Sequence, residues 1–281
     1  KTSTNMGKRL LKYRLMNPIT NVEELNKRYD IIDIFMKSDK IQDIEKTLNE
    51  IIDIERLHRK ISLQMLHPYE FLNLSYSYEN IIKLIKIISD ICEDLNINLE
   101  KSVYEEFVSF MKIYNDIFDM SEIGKYGLLN IGNSFFKKGT FTEIDNIQKE
   151  INEINIFFEK ECELLSSMIE IGSDYVKVES NEREGYFYYC TKKRADILIT
   201  KFNKTQKDMY EIKKYNGCNI KIVSSYLTVK SDRLICLKDE IRVKTKEQYI
   251  KVLNDFHGKY NNIFNMISKY VANIDVIKCS V

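Results

Sequence analysis

The sequence predicts a mainly α fold in which a long antiparallel helix pair carries a small inserted α+β domain. Three observations lead there. Only nine Gly and two Pro are spread over 281 residues, so tight turns are few and most residues fall in long regular elements. Apolar residues recur at helical spacing over most of the chain and close into a heptad seam from Ile144 onward. Between residues 173 and 233 that period gives way to short runs rich in β-branched and aromatic residues. The expected divisions are residues 1–172, 173–233 and 234–281.

The first helix carries Leu10, Leu11 and Leu15 as an apolar stripe and stops at Pro18. Asn21 is the expected N-cap of the second, with Glu24 as its capping-box partner. That helix should turn Leu25, Tyr29, Ile32 and Met36 inward. A further helical pattern follows to Ile61. His67-Pro68 punctuates the chain before a helix from Tyr69, with more helix expected at Ser75–Cys92 and Leu99–Phe118. Gly124, Gly127, Gly132 and Gly139 mark a looser connection.

Ile144, Ile147, Ile151, Ile154, Phe158 and Leu165 then keep spacings of three, four and seven, which defines one long helix. Its expected partner starts at Leu234 and continues through Leu237, Ile241, Gln248, Val252, Phe256, Ile263 and Ile267, with Gln248 as a polar interruption. In the insert, "YVKV", "GYFYYCT" and "NIKIVSSYLTV" read as strands and residues 195–215 as helix. Strand alternation puts Tyr186 and Tyr188 on one face and Phe187 and Tyr189 on the other, so most of this aromatic surface is expected to pack rather than to stack on bases.

Charge adds a functional hint. The net charge is +1, yet residues 173–247 hold 17 Lys and Arg against 11 Asp and Glu, so the surplus of positive charge is local and suits a polyanionic partner. Lys192, Lys193 and Arg194 follow the aromatic strand, and Lys230 and Arg233 lie near the end of the last one. A charge run is commonly a solvated face; here its place in the insert also fits sequence-independent contacts to phosphate.

Other chemistry is poorly supported. The six Cys include no C-x-x-C pair and lie far from the three His, so free thiols in a reducing compartment are expected rather than zinc. Asp53 and Glu55 are expected in a salt-bridge network rather than in acid–base catalysis, with Arg56 bracing neighbouring helices and His58 and His67 structural. No apolar run reaches membrane-spanning length, and no signal peptide is evident. An intracellular protein without membrane contact is expected, with nucleus, cytoplasm, viral factory and organelle all open.

Two passages resemble the MutS family of DNA mismatch-recognition ATPases. "TNMGKRLLKYRLMNPITNVEELNKRYDII" looks like the opening of that family's core or lever domain through Met6, Gly7, Arg9, Leu10, Leu11, Leu15, Pro18 and Arg28. Asp53, Glu55, Arg56 and Leu57 match its Asp-Leu-Glu-Arg element. His67, Pro68 and Phe71 are similar to the branch found in giant viruses and octocoral mitochondria. The family carries a clamp domain between two lever helices, and Asn181, Gly185, Tyr186 and Tyr188 fit its first strand. Thr228 and Lys230 fit the start of a second. Arg233 stands one place early, Leu234 or Ile235 replaces an aromatic, and Lys238 stands where the family has Pro.

The resemblance implies a lever-and-clamp piece of a larger protein. Its DNA-contacting set would be Lys192, Lys193, Arg194, Lys230, Ser231, Arg233 and Asn181, touching the backbone of double-stranded DNA, and the parent would pair with a homodimer partner. Gly7-Lys8, Gly124-Lys125 and Gly258-Lys259 are each followed by Arg or Tyr, so none completes a phosphate-binding P-loop. ATP and Mg would then belong to another part of the parent, and this piece would catalyse nothing. A second reading of the same residues is a coiled-coil interaction module of a chromosome-organising ATPase.

Overall fold

The structure, a computed structural model, describes residues 1–91, 99–181 and 185–281, leaving aside the side chains of residues 206 and 207. It is mainly α with one small antiparallel sheet. The chain forms two compact units: residues 1–131, 135–140 and 246–281 make the first, and residues 132–134 and 141–245 the second.

The first unit begins with α1 (Asn5–Met16), α2 (Val22–Lys37), α3 (Ile41–Asn49) and α4 (Ile54–Ser62). It continues through α5 (Pro68–Ile91), α6 (Lys101–Ile117) and the short α7 (Met120–Ile123). The long α11 (Ser225–Ser280) supplies its C-terminal portion. Pro68 starts α5 at the first helical position, where a missing N–H costs nothing, and the helix then runs unbroken where two were expected. The expected end at Cys92 lies outside the described residues.

Aromatic rings fill the centre of this unit. Phe71 meets Tyr114 and Phe118 edge-on at 5.3 and 5.0 Å between centroids. Phe110 meets Phe256 and Phe264 of α11 at 5.1 and 5.2 Å. Edge-to-face pairs of this kind add about 0.5–1.5 kcal/mol each beyond the apolar area they bury. His58 joins the same core, stacked on Phe264 at 4.4 Å, with its ring nitrogens paired to Ser268 Oγ at 3.2 Å and Tyr78 Oη at 2.8 Å. Burial holds its imidazole neutral, with the pKa lowered to about 3.

The two ends of the first unit are tied by charge. Asp275 is fully buried and accepts from Ser3 N at 2.8 Å, Thr4 N at 2.7 Å and Thr4 Oγ1 at 2.7 Å. Thr4 in turn caps α1 by accepting from Gly7 N at 2.9 Å. Lys278 donates to Lys1 O and Ser3 Oγ at 2.9 Å each and to Glu45 at 3.1 Å. Arg9 grips Asp53 through two nitrogens at 2.7 and 2.8 Å and Glu55 at 2.7 Å. The carboxylates converge because Asp53 is the N-cap of α4 rather than a residue within it. Arg9, not the exposed Arg56, is the brace.

The expected burial of α1 and α2 is corrected. Leu15, Tyr29 and Met36 are exposed, and Phe35 is the buried residue of α2. Asn21 does cap α2, accepting from Glu23 N and Glu24 N at 3.0 and 3.3 Å, but the Glu24 carboxylate turns forward to Arg28 at 2.6 Å. Leu11, Leu15, Leu25, Tyr29 and Ile32 line an open groove with residues of α11.

The second unit is built on α8 (Thr142–Ile169) and the first part of α11. Ile144, Ile147, Ile151, Ile154, Phe158 and Leu165 are all buried, as are Leu227, Leu234, Leu237 and Ile241. Glu143 pairs with Lys244 at 2.7 Å, Glu150 with Arg233 at 2.7 Å, and Phe157 with Tyr226 at 5.2 Å. Partners that advance along one helix recede along the other, so the pair is antiparallel. The partner helix starts at Ser225 rather than Leu234, and Thr245 and Tyr249 take the fully buried positions flanking a half-buried Gln248.

Candidate nucleic-acid interface

Between the long helices lie β1 (Lys177–Asn181), β2 (Gly185–Thr191), α9 (Lys192–Lys201), α10 (Lys204–Met209), β3 (Glu211–Asn216) and β4 (Asn219–Val223). The sheet order is β1-β2-β4-β3, every neighbour antiparallel. Two sequence readings are corrected here. The stretch expected to be helical to Tyr215 changes to strand at Glu211, and the expected last strand stops at Val223. Ser224 ends it because its Oγ accepts from Leu227 N at 3.0 Å, the side-chain bond that starts a helix. Thr228, Lys230 and Arg233 consequently sit on α11 rather than on a strand.

Alternation along β2 holds as read. Tyr186 and Tyr188 turn to Phe158 of α8 at 5.7 and 6.3 Å, whereas Phe187 and Tyr189 turn to Tyr215 of β3 at 4.9 and 6.5 Å. Phe187 is fully buried, Tyr188 nearly so, and the ammonium of Lys221 lies 4.1 Å from the Phe187 ring centre. Rings engaged in this way are scaffold.

The seven candidate residues fall into two groups at opposite ends of β2, about 20 Å apart at the usual rise of a strand. At the C-terminal end, Lys192 and Lys193 are exposed on the first turn of α9. Lys192 N donates to Cys218 O at 2.8 Å, which ties this end to the β3–β4 turn. That turn of α9 holds no acidic residue and no side-chain cap. Two lysines beside the positive end of a helix dipole do little for the helix and raise the local positive potential. Arg194 is turned aside, its guanidinium 3.6 Å over the Tyr175 ring.

At the N-terminal end of β2, Asn181 pairs across the hairpin with Gly185, and Gly185 rests on Ser231. Ser231 is 1% exposed, and its Oγ accepts from Tyr186 N at 2.7 Å, so it docks the hairpin on α11. Lys230 is half-buried with its ammonium 5.7 Å from the Tyr226 ring. Arg233 makes a bidentate pair with Glu150, both bonds 2.7 Å. The Arg233 guanidinium, bonding directly, and then the charge of Lys230 lower the Glu150 pKa below the usual carboxylate range.

Glu150 is not among the residues that the sequence marks out, and Lys238 is marked only as standing where the family has Pro. Glu150 directly precedes Ile151 of the seam, a flanking position where ion pairs between long helices form. That signal was present in the sequence; the identity of its partner, 83 residues away, was not. Lys238 lies over the Tyr186 ring at 5.0 Å and bonds its hydroxyl, so the residue in place of the family's Pro holds β2 to an uninterrupted helix. Among the described residues, no three His, Cys, Asp or Glu side chains are grouped to hold a metal ion, and no helix is long and apolar enough to cross a membrane.

The profile of MutS domain III matches residues 1–280. A putative DNA mismatch repair protein, a mutS homolog of Acanthamoeba polyphaga mimivirus, is 28% identical over 99% of this chain and 27% of its own length. The mitochondrial DNA mismatch repair protein mutS homolog of Sarcophyton glaucum is 27% identical over 98% of the chain and 28% of its own. DNA mismatch repair protein MutS of Caldanaerobacter subterraneus subsp. tengcongensis is 25% identical over 99% and 30%. The chain thus spans less than a third of the length of these relatives.

Proposed function

This chain belongs to the MutS family, matching its domain III over residues 1–280, and on that premise we propose that it grips duplex DNA in mismatch repair and passes that contact along paired helices. Residues 173–233 are the clamp, touching the backbone without reading sequence. The long helices are the lever that couples it to an ATPase elsewhere in the full-length protein, where ATP and Mg are bound. The piece itself is not an enzyme, and the full-length protein works as a homodimer.

The observation that carries this reading is the exposed Lys192–Lys193 pair at the positively ended start of α9, within the stretch 173–247 that holds 17 Lys and Arg against 11 Asp and Glu. Lys230 adds a second basic point at the other end of β2. Backbone contacts from such residues are tolerant of sequence, as a protein that inspects any duplex requires.

Anisotropy of a labelled duplex, titrated with this chain, tests the reading. Binding that weakens with salt, and that Lys192→Ala or Lys230→Ala weakens further, supports the clamp. Absence of binding at low salt, with self-association through the tip at residues 173–233, contradicts it and points to a coiled-coil interaction module.

A further inference from the structure

Arg233 and Lys230 are one helical turn apart on α11, and a carboxylate of α8 is bonded to the first of them. Glu150 of α8 bonds Arg233 through both oxygens at 2.7 Å. Lys230 is the other cation acting on that carboxylate. The Arg233 and Glu150 side chains are 49% and 41% exposed, so a ligand in solvent can reach the pair.

We propose that Glu150 is a positioning residue that sets the affinity of the clamp for duplex by withholding Arg233 from phosphate until a phosphate displaces it. The proposal rests on the duplex-binding reading above and goes beyond it, because it assigns a residue that carries the wrong charge to touch DNA. A guanidinium offers the same two-pronged geometry to a phosphate as to a carboxylate, so the exchange preserves both hydrogen bonds of Arg233. An exposed ion pair is weak enough for a polyanion to replace. While paired, Arg233 also cross-links α11 to α8. Exchange for phosphate removes that link, so arrival of a duplex is felt in the packing of the helix pair.

The test compares duplex affinity and its salt dependence for the chain and its Glu150→Gln, Arg233→Ala and combined variants. Glu153→Gln serves as control, since it removes the same charge from the same helix at a residue whose ion pair, with Lys149 at 3.9 Å, lies within that helix. Glu150→Gln is expected to tighten binding about two- to fivefold, the scale of a released surface ion pair. The slope of log affinity against log salt should change by less than about one, because Arg233 reaches a phosphate in both complexes. In the Arg233→Ala background most of that gain should vanish, and circular dichroism should report unchanged helix content throughout. Glu150→Gln behaving like the chain itself, or like Glu153→Gln, overturns the proposal even while Lys230→Ala still weakens binding and upholds the duplex reading. If no variant binds duplex and Lys230→Ala changes nothing, the duplex reading fails and takes the proposal with it.

Discussion

Gly185 lies against Ser231 so closely that a Cβ at Gly185 would fall 2.3 Å from the Ser231 hydroxyl oxygen. The same glycine has φ of +68°, a left-handed backbone that side chains disfavour. Tyr186 N, the next donor along, bonds that hydroxyl at 2.7 Å. The hairpin and α11 are therefore joined by a residue too small to clash and a hydroxyl placed to accept.

Gly185→Ala should destabilise the second unit by about 1–3 kcal/mol, from the positive φ and the collision together. Ser231→Ala should cost about 1–2 kcal/mol by leaving Tyr186 N without its acceptor. Hydrogen exchange should report loss of protection in β1 and β2 for both. Ser231→Ala should change duplex affinity little at temperatures where the unit stays folded, because the hydroxyl is spent inside.

Asp275 should be among the costliest single residues to truncate in the first unit. Asp275→Ala leaves Ser3 N, Thr4 N and Thr4 Oγ1 without their shared acceptor, a loss of about 3 kcal/mol or more. Gly7→Ala attacks the same contact from the other side, since its Cβ would lie 2.1 Å from Asp275 Oδ2. Urea denaturation should place both midpoints well below that of the unaltered chain.

His58 should make stability depend on pH in a defined direction. Its folded pKa is lowered to about 3 from 6.5, so below pH 6.5 the unfolded chain binds a proton that the folded chain refuses. The contribution is complete above pH 6.5 and is lost progressively as pH falls toward 3. Between pH 7 and pH 5 it amounts to about 2 kcal/mol. His58→Leu should lower stability at pH 7 by removing the bonds to Ser268 and Tyr78, yet flatten this part of the pH dependence. An equal slope in both proteins would assign the effect to other groups.

The sequence was most readable where one period dominates. The isoleucines of α8 announce their buried face because three- and four-residue spacing has one structural solution, and the alternation in β2 does the same for Tyr186 and Phe187. Reading failed where local preference and packing disagree. "VSSYLTV" is rich in strand-forming residues, yet Ser224 caps a helix there and Leu227 is 2% exposed on its inner face. Tyr29 and Met36 have the spacing of a core stripe and are 60% and 61% exposed, because spacing defines a face without supplying what covers it. At the candidate interface, the basic residues were legible as charge. That Ser231 is internal, that Arg194 rests on Tyr175 and that Arg233 is held by Glu150 were not, since each depends on a partner distant in sequence.

The central claim is that the exposed lysines at the start of α9 hold duplex backbone. The salt dependence of duplex affinity for the Lys192→Ala/Lys193→Ala double variant tests it most directly. Two lost phosphate contacts should reduce the slope of log affinity against log salt by about two, with affinity falling equally for duplexes of different sequence. An unchanged slope and affinity in a variant of unchanged helix content would contradict the account.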